Sequence, residues 1–416
     1  MTVLTGRRRV GKTALVRQAL GDGRMPYVHL PITRQPEVTL CEQLQAECEE
    51  VLHLDMHGTC QRFGELFKEL MAESVKRPFT LVLDEFQEFD RTNPGVYGDI
   101  QAVWDRYHQK SKVNLIVSGS VNRLMNKIFF NYGEPLYGRN TAHLRLHPFP
   151  ASLMKEIFAA HYPKYTKKDL LALWTMTGGV ARYVSLFMDA RCYTQRKMID
   201  LFFSEASPFL EEGRSILIQE FGNDYVTYFT ILTAIATGHT KFAEIKNDLG
   251  MDVGAYLSNL EKNYGLIRKV NPIFSEAGSK NSIFHITDPF LRFWFRYVFK
   301  CAPYVERGLF ERLRKIVSED FEIFSGTALE QYFEWKFTGE QRYSGLGRWW
   351  DRKGENEIDL VGEDDLSGTL DFYEIKRART AIDLAVLEGK TSRFFEKHPQ
   401  KAKLARKCLP LSLEDM

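Results

Sequence analysis

The sequence predicts an α/β protein built from several units, and three observations carry that reading. Short β-prone runs alternate with longer helical runs up to about residue 150, a glycine-rich loop joins the first such run to the first helix, and a second strand-rich stretch begins near Arg348. A chain of 416 residues exceeds one core, and domains of about 150 residues would make roughly three units.

The first five strands are expected at Val3 to Thr5, Tyr27 to Leu30, Thr80 to Leu83, Asn114 to Val117 and Thr141 to Leu146. Helices are expected between them at Ala14 to Leu20, Thr39 to Leu52, Phe63 to Val75, Tyr97 to His108 and Val121 to Lys127. In the first helix Leu15, Val16, Ala19 and Leu20 share one face before Gly21 stops it. Pro148 and Pro150 break the alternation, and 151–220 reads as helices interrupted at Gly178-Gly179, the composition of a lid. Within 221–300, three helices (Tyr225 to Thr237, Lys241 to Leu249, Val253 to Tyr264) precede β-prone runs at Leu266 to Val270 and Ser282 to Thr287. That order is a winged helix-turn-helix. The remainder, 301–416, runs from helix into a final α/β region, so the expected divisions are 1–150, 151–220, 221–300 and 301–416.

Composition excludes some classes. Hydrophobic content of 44%, charged content of 26% and a net charge of +2 suit a globular protein with no global basic excess. Six cysteines without a C-x-x-C suit free thiols in a reducing compartment. The apolar run Phe290 to Tyr304 is interrupted by Arg292, Arg296 and Lys300 and is too short to cross a bilayer. A cytoplasmic location without a membrane partner is expected. His53 and His57 lack the further ligands of a zinc site.

Gly6-Arg7-Arg8-Arg9-Val10-Gly11-Lys12-Thr13 matches G-x-x-x-x-G-K-[ST] at each fixed position. With Ala14 opening the helix, this loop would wrap backbone N–H groups around phosphates, Lys12 would reach the β and γ phosphates, and Thr13 would ligate Mg²⁺. ATP and Mg²⁺ are therefore the expected ligands. Leu81-Val82-Leu83-Asp84-Glu85 supplies the second half: Asp84 for the metal, Glu85 to orient or deprotonate attacking water. Ser118 and Ser120 end the next strand, where either could sense the γ phosphate or simply serve the turn. Arg139, before the fifth strand, is placed either to act on a neighbouring subunit's nucleotide, implying a homo-oligomer, or to form a surface ion pair. Arg182 in Gly178 to Tyr183 would reach back to the phosphates as a second sensor.

Taken in order, Gly6 to Thr13, Leu81 to Gln87, Ser118-Gly119-Ser120, Leu136 to Arg139 and Gly178 to Tyr183 resemble the archaeal-type AAA+/STAND ATPases over the first half of the chain. The chain departs from the family's G-G-x-P segment at Ala181, and no G-R-x-x-E segment precedes Gly6. Either the base pocket is open on that side or the native N-terminus lies further upstream.

Farther on, Ile358-Asp359-Leu360-Val361 is followed after a polar turn by Glu374-Ile375-Lys376, the arrangement of a restriction-endonuclease-like PD-(D/E)xK core. Asp359 and Glu374 would chelate Mg²⁺, and Lys376, on the same strand face as Glu374, would activate water. With Gly347-Arg348-Trp349-Trp350-Asp351, the segment also resembles the nuclease-like domain of unknown function that follows the winged helix in some of these ATPases. That resemblance makes Glu330 the upstream helical acid. Seven basic residues between Lys390 and Lys407 face one acid, Glu396, and offer DNA phosphates a surface as readily as they make a solvated face. Ser258, Asn259, Lys262 and Asn263 give the recognition helix a thin complement for a DNA groove.

The leading expectation is an Mg²⁺-dependent ATPase coupled to a nuclease-like domain that binds or cleaves DNA. Its rivals are a STAND-type switch with a non-catalytic docking module at the carboxyl end and a winged-helix transcriptional regulator.

Overall fold

The computed structural model describes residues 1–416 except 24, 57, 121, 222–224, 277, 278, 280 and 353, with no side chain described at 122, 219 or 220. His57 and Val121 of the sequence reading lie outside the described residues. The chain divides into two compact units, Met1–His147 and Pro148–Met416.

In the first unit β1 (Thr2–Thr5), β2 (Tyr27–Pro31), β3 (Thr80–Asp84), β4 (Asn114–Gly119) and β5 (Ala142–Arg145) form one parallel sheet in the order β2-β3-β4-β1-β5. Alternation sorts their side chains. Val3, Leu81, Leu83, Leu115 and Val117 join a core with the helices Glu37–Leu52, Phe63–Lys76 and Val96–Tyr107, while Leu4 and Val82 turn to Val16 of the helix Lys12–Leu20. With helices on both faces, β3 is buried at every position. Parallel strands all end at one edge, so the loops after β1, β3 and β4 meet there, the usual ligand crevice of such sheets.

The second unit begins with helices from Ala151–His161 to Phe209–Phe221. The helices Tyr225–Ala236, Phe242–Leu249 and Gly254–Lys262 follow, then the antiparallel pair β6 (Ile267–Val270) and β7 (Ile283–Ile286). A 30-residue helix, Phe310–Gly339, leads into β8 (Gly345–Trp350), β9 (Glu357–Asp364) and β10 (Thr369–Ile375). These three are antiparallel; the helix Leu384–Lys397 then crosses over to β11 (Ala405–Leu411), parallel to β10. One sheet face, with Trp349, Val361 and Phe372, packs on Leu387 and Phe394 of the crossover helix. The other gives Leu360, Tyr373 and Ile375 to a core shared with the long helix and the preceding helices.

The loop between β6 and β7 is held by the last sheet. Ile273 N–H donates to the Arg348 carbonyl of edge strand β8 at 2.7 Å, Phe274 packs edge-on to Phe394, and Lys401 sits 4.4 Å from the Phe274 ring centroid. The hairpin is anchored by Arg268, whose guanidinium grips both oxygens of Glu334 on the long helix at 2.7 and 2.9 Å.

The long helix offers a stability test. Phe321 is fully buried and Ile323 is 78% exposed. Phe321→Ala is expected to cost about 3–5 kcal/mol and Ile323→Ala less than about 0.5 kcal/mol, measured by urea unfolding.

Candidate functional site

The loop between β1 and the helix Lys12–Leu20 curls because Gly11 takes φ +105°, a left-handed backbone that a side chain would strain. Gly11 gives the helix no side-chain cap and no acid occupies the first turn. With no capping side chain, the first helical N–H groups suit an anion. Lys12 is buried, and its Nζ donates to the carbonyls of Gly6 at 3.0 Å and Arg7 at 3.3 Å. Burial lowers its pKa, opposed by the negative charges of Glu85 and Asp84. Arg7 and Arg8 are half-buried, Val10 is buried, and Arg9 and Ala14 are exposed on the loop and the helix start.

Asp84 collects donors from three neighbouring segments. Thr13 Oγ1 donates to Oδ2 at 2.9 Å, Ser118 Oγ donates to Oδ1, and His29 Nε2 lies 3.2 Å from Oδ2. Burial would raise this carboxyl, but the hydrogen bonds from His29, Ser118 and Thr13 hold it well below the usual carboxylate range. Glu85 follows in a left-handed backbone, φ +54°. Its Oε2 accepts from Gln87 Nε2 at 2.6 Å and Ser120 Oγ at 2.7 Å.

A hydroxyl and a carboxylate 2.9 Å apart are hard-oxygen donors that fit Mg²⁺. Among the described residues no cluster of three or more His, Cys, Asp or Glu side chains could hold a metal.

Arg139 grips Asp105 of its own unit at 2.9 and 2.7 Å, the ion-pair alternative of the sequence reading. Arg182 is exposed in the first turn of the helix Ala181–Asp189 in the second unit.

In that second unit β9 and β10 bring Asp359 and Glu374 together with Lys376. Lys376 Nζ lies 3.2 Å from Asp359 and 2.9 Å from Glu374, Lys390 Nζ is 2.9 Å from Glu374, and Ile375 N–H donates to Asp359 at 2.7 Å. Burial raises Glu374, but Lys376 and Lys390 outweigh it and the carboxyl falls below its usual value; burial leaves Asp359 raised. Glu330 lines a small cavity with Asp359, Arg268, His285 and Arg348, and pairs with Arg348 at 3.1 Å. Burial pushes its carboxyl up to about 7 against the pull of Arg348.

Residues 1–154 match the model of an AAA domain. The first unit is an AAA-type ATPase domain. Residues 294–388 match a family described as archaeal and bacterial proteins of unknown function. An uncharacterised protein of Methanocaldococcus jannaschii is 27% identical over 397 residues, covering 90% of this chain and 82% of that one. Among solved structures, the Walker-type ATPase of Pyrococcus abyssi superposes with a TM-score of 0.54 at 19% identity, covering 71% of this chain and 90% of that one. At that identity the likeness is one of fold. The ORC2 protein of Aeropyrum pernix, solved in ADPNP-ADP complexes, gives a TM-score of 0.49 at 13% identity, with 75% and 88% covered.

Sequence reasoning missed His29, Gln87 and the pairing roles of Arg348 and Lys390. His29 carries one usable signal: its strand ends beside that of Asp84, Leu30 pairing with Leu83.

The depressed Asp84 carboxyl sets a pH dependence for the ATPase domain. Its contribution to stability is complete above its unfolded value of about 4 and is lost as pH falls through the lower folded value. Wild-type urea midpoints are therefore expected to drop more steeply than those of Asp84→Asn between about pH 5 and about pH 2.

Proposed function

We propose that this chain binds ATP with Mg²⁺ and hydrolyses it, and that the second unit carries a nuclease-like core whose contact with DNA or with a protein partner follows the nucleotide state. The observation that carries the hydrolytic reading is Asp84 held by Thr13 and Ser118 with Glu85 beside it. The loop from Gly6 to Ala14 would cradle the phosphates and Ser118 would report on them through Asp84. Thr13 and Asp84 would hold Mg²⁺, which would supply positive charge against the phosphates. Lys12 adds positive charge at the same phosphates. Glu85 takes a proton from water as the water oxygen bonds to the γ phosphorus; the bond to the bridging oxygen breaks and its electron pair leaves with ADP. Arg182 is proposed as the lid's sensor. Arg139 would serve a neighbouring copy only after releasing Asp105.

For the second unit, the convergence of Asp359, Glu374 and Lys376, with Glu330 sharing a cavity with Asp359, supports the PD-(D/E)xK reading. Asp359 and Glu374 have the donor chemistry for Mg²⁺. Lys376 already bridges both, so an ion there would compete with an ammonium. The three helices with β6 and β7 are read as a winged helix. Its loop, held on β8 through Ile273 and Phe274, favours a second reading in which this module docks the carboxyl-terminal core. DNA would then meet the basic run from Lys390 to Lys407.

Lys12→Ala is expected to abolish ATP turnover, and Glu85→Gln to retain nucleotide binding while hydrolysis falls by orders of magnitude. Normal turnover by both variants would reject the site. Incubation of the full chain with Mg²⁺ or Mn²⁺ on single- and double-stranded DNA tests cleavage against the Glu374→Ala/Lys376→Ala variant. Equal background from the two proteins would leave the docking reading.

A further inference from the structure

Glu85 has two carboxylate oxygens and an attacking water needs one of them. Among the described residues two side-chain donors reach the group, Gln87 Nε2 at 2.6 Å and Ser120 Oγ at 2.7 Å, and both end on the same atom, Oε2. They come from different places. Gln87 lies in the short turn Phe86–Glu88 after β3, and Ser120 follows Gly119, the last residue of β4. Two such bonds leave a carboxylate little rotational freedom, and they turn Oε2 from a proton acceptor for water into an acceptor already satisfied.

The Gln87 amide is itself locked. Its residue is 1% exposed, its Nε2 also lies 3.5 Å from Glu88 Oε1, and its Oε1 is buried without a hydrogen-bond partner. A buried acceptor left unpaired is destabilising, so an amide is a poor choice for packing alone. Gly119 makes the room: a Cβ there would stand 2.5 Å from Gln87 Oε1 and 2.4 Å from Met125 Sδ. The chain thus places a costly amide where, among the described residues, its side-chain bonds reach carboxylates, and the shorter is to Glu85.

We infer that Gln87, assisted by Ser120, is a positioning residue that fixes the Glu85 carboxylate so that Oε1 alone is left to take the proton from water. The inference rests on the hydrolytic reading of Glu85.

The test uses the full chain with Mg²⁺ and ATP. Gln87→Met keeps the volume and removes both the donor and the unpaired acceptor; Ser120→Ala removes the second donor from a half-buried site. Each is expected to lower kcat, Gln87→Met by about 10- to 100-fold, with KM for ATP nearly unchanged. The thermal midpoint of Gln87→Met should equal or exceed that of wild type. A merely structural glutamine would lower the midpoint and leave kcat at the wild-type value, and that result overturns the inference. So does wild-type kcat in both variants while Glu85→Gln is inactive, an outcome that leaves the hydrolytic reading intact. Hydrolysis indifferent to Glu85→Gln overturns both.

Discussion

The nucleotide half depends on one carboxylate being held from three sides. Asp84 ends β3, Ser118 lies near the end of β4, and Thr13 opens the helix that follows β1. Only a sheet in which β3, β4 and β1 are consecutive parallel neighbours delivers all three to one edge. The hydrophobic alternation that buries Leu81, Leu83, Val3 and Val117 thus also sets the register of the polar ends. Packing and chemistry are coupled here because a strand cannot slip by one residue without turning its buried face outward.

The two acidic sites are stabilised by opposite means. Asp84 is held by the hydroxyls of Thr13 and Ser118 and the ring of His29, and the hydroxyls leave its negative charge uncancelled. Such a group retains attraction for a divalent ion. Asp359 and Glu374 are held by the ammonium groups of Lys376 and Lys390, which neutralise much of the charge that a metal would seek. Similar residue types therefore create a charged socket at one site and a self-compensated cluster at the other.

Much of this was legible in the chain itself. All five strands of the first sheet lie where β-prone runs bounded by turn residues place them; β3, buried at every position, needs such an apolar run, whereas β5 is exposed along its length. Lys12, Thr13, Asp84 and Glu85 follow from local motifs whose spacing is set by one loop or one strand end. His29 and Gln87 were not legible. Each matters through a neighbour brought near by strand order or a tight turn, and neither stands in a pattern that names its partner. In the second unit, Glu374 and Lys376 were readable from strand alternation, whereas the Arg348–Glu330 pair joins a strand to a helix and has no local signature. The expected Arg139 contact is likewise a matter of surroundings: an exposed acid, Asp105, lies within its reach.

The hairpin loop on β8 has a consequence for how the second unit holds together. Ile273 and Phe274 belong to a module that ends well before the last sheet begins, yet their apolar surface is covered by Phe394 and the β8 backbone. The three-helix module and the terminal sheet therefore cannot be parted without uncovering both. Segments that look like separable cassettes along the chain are fused into one cooperative block, in which loosening at either end is felt as lost burial at the other.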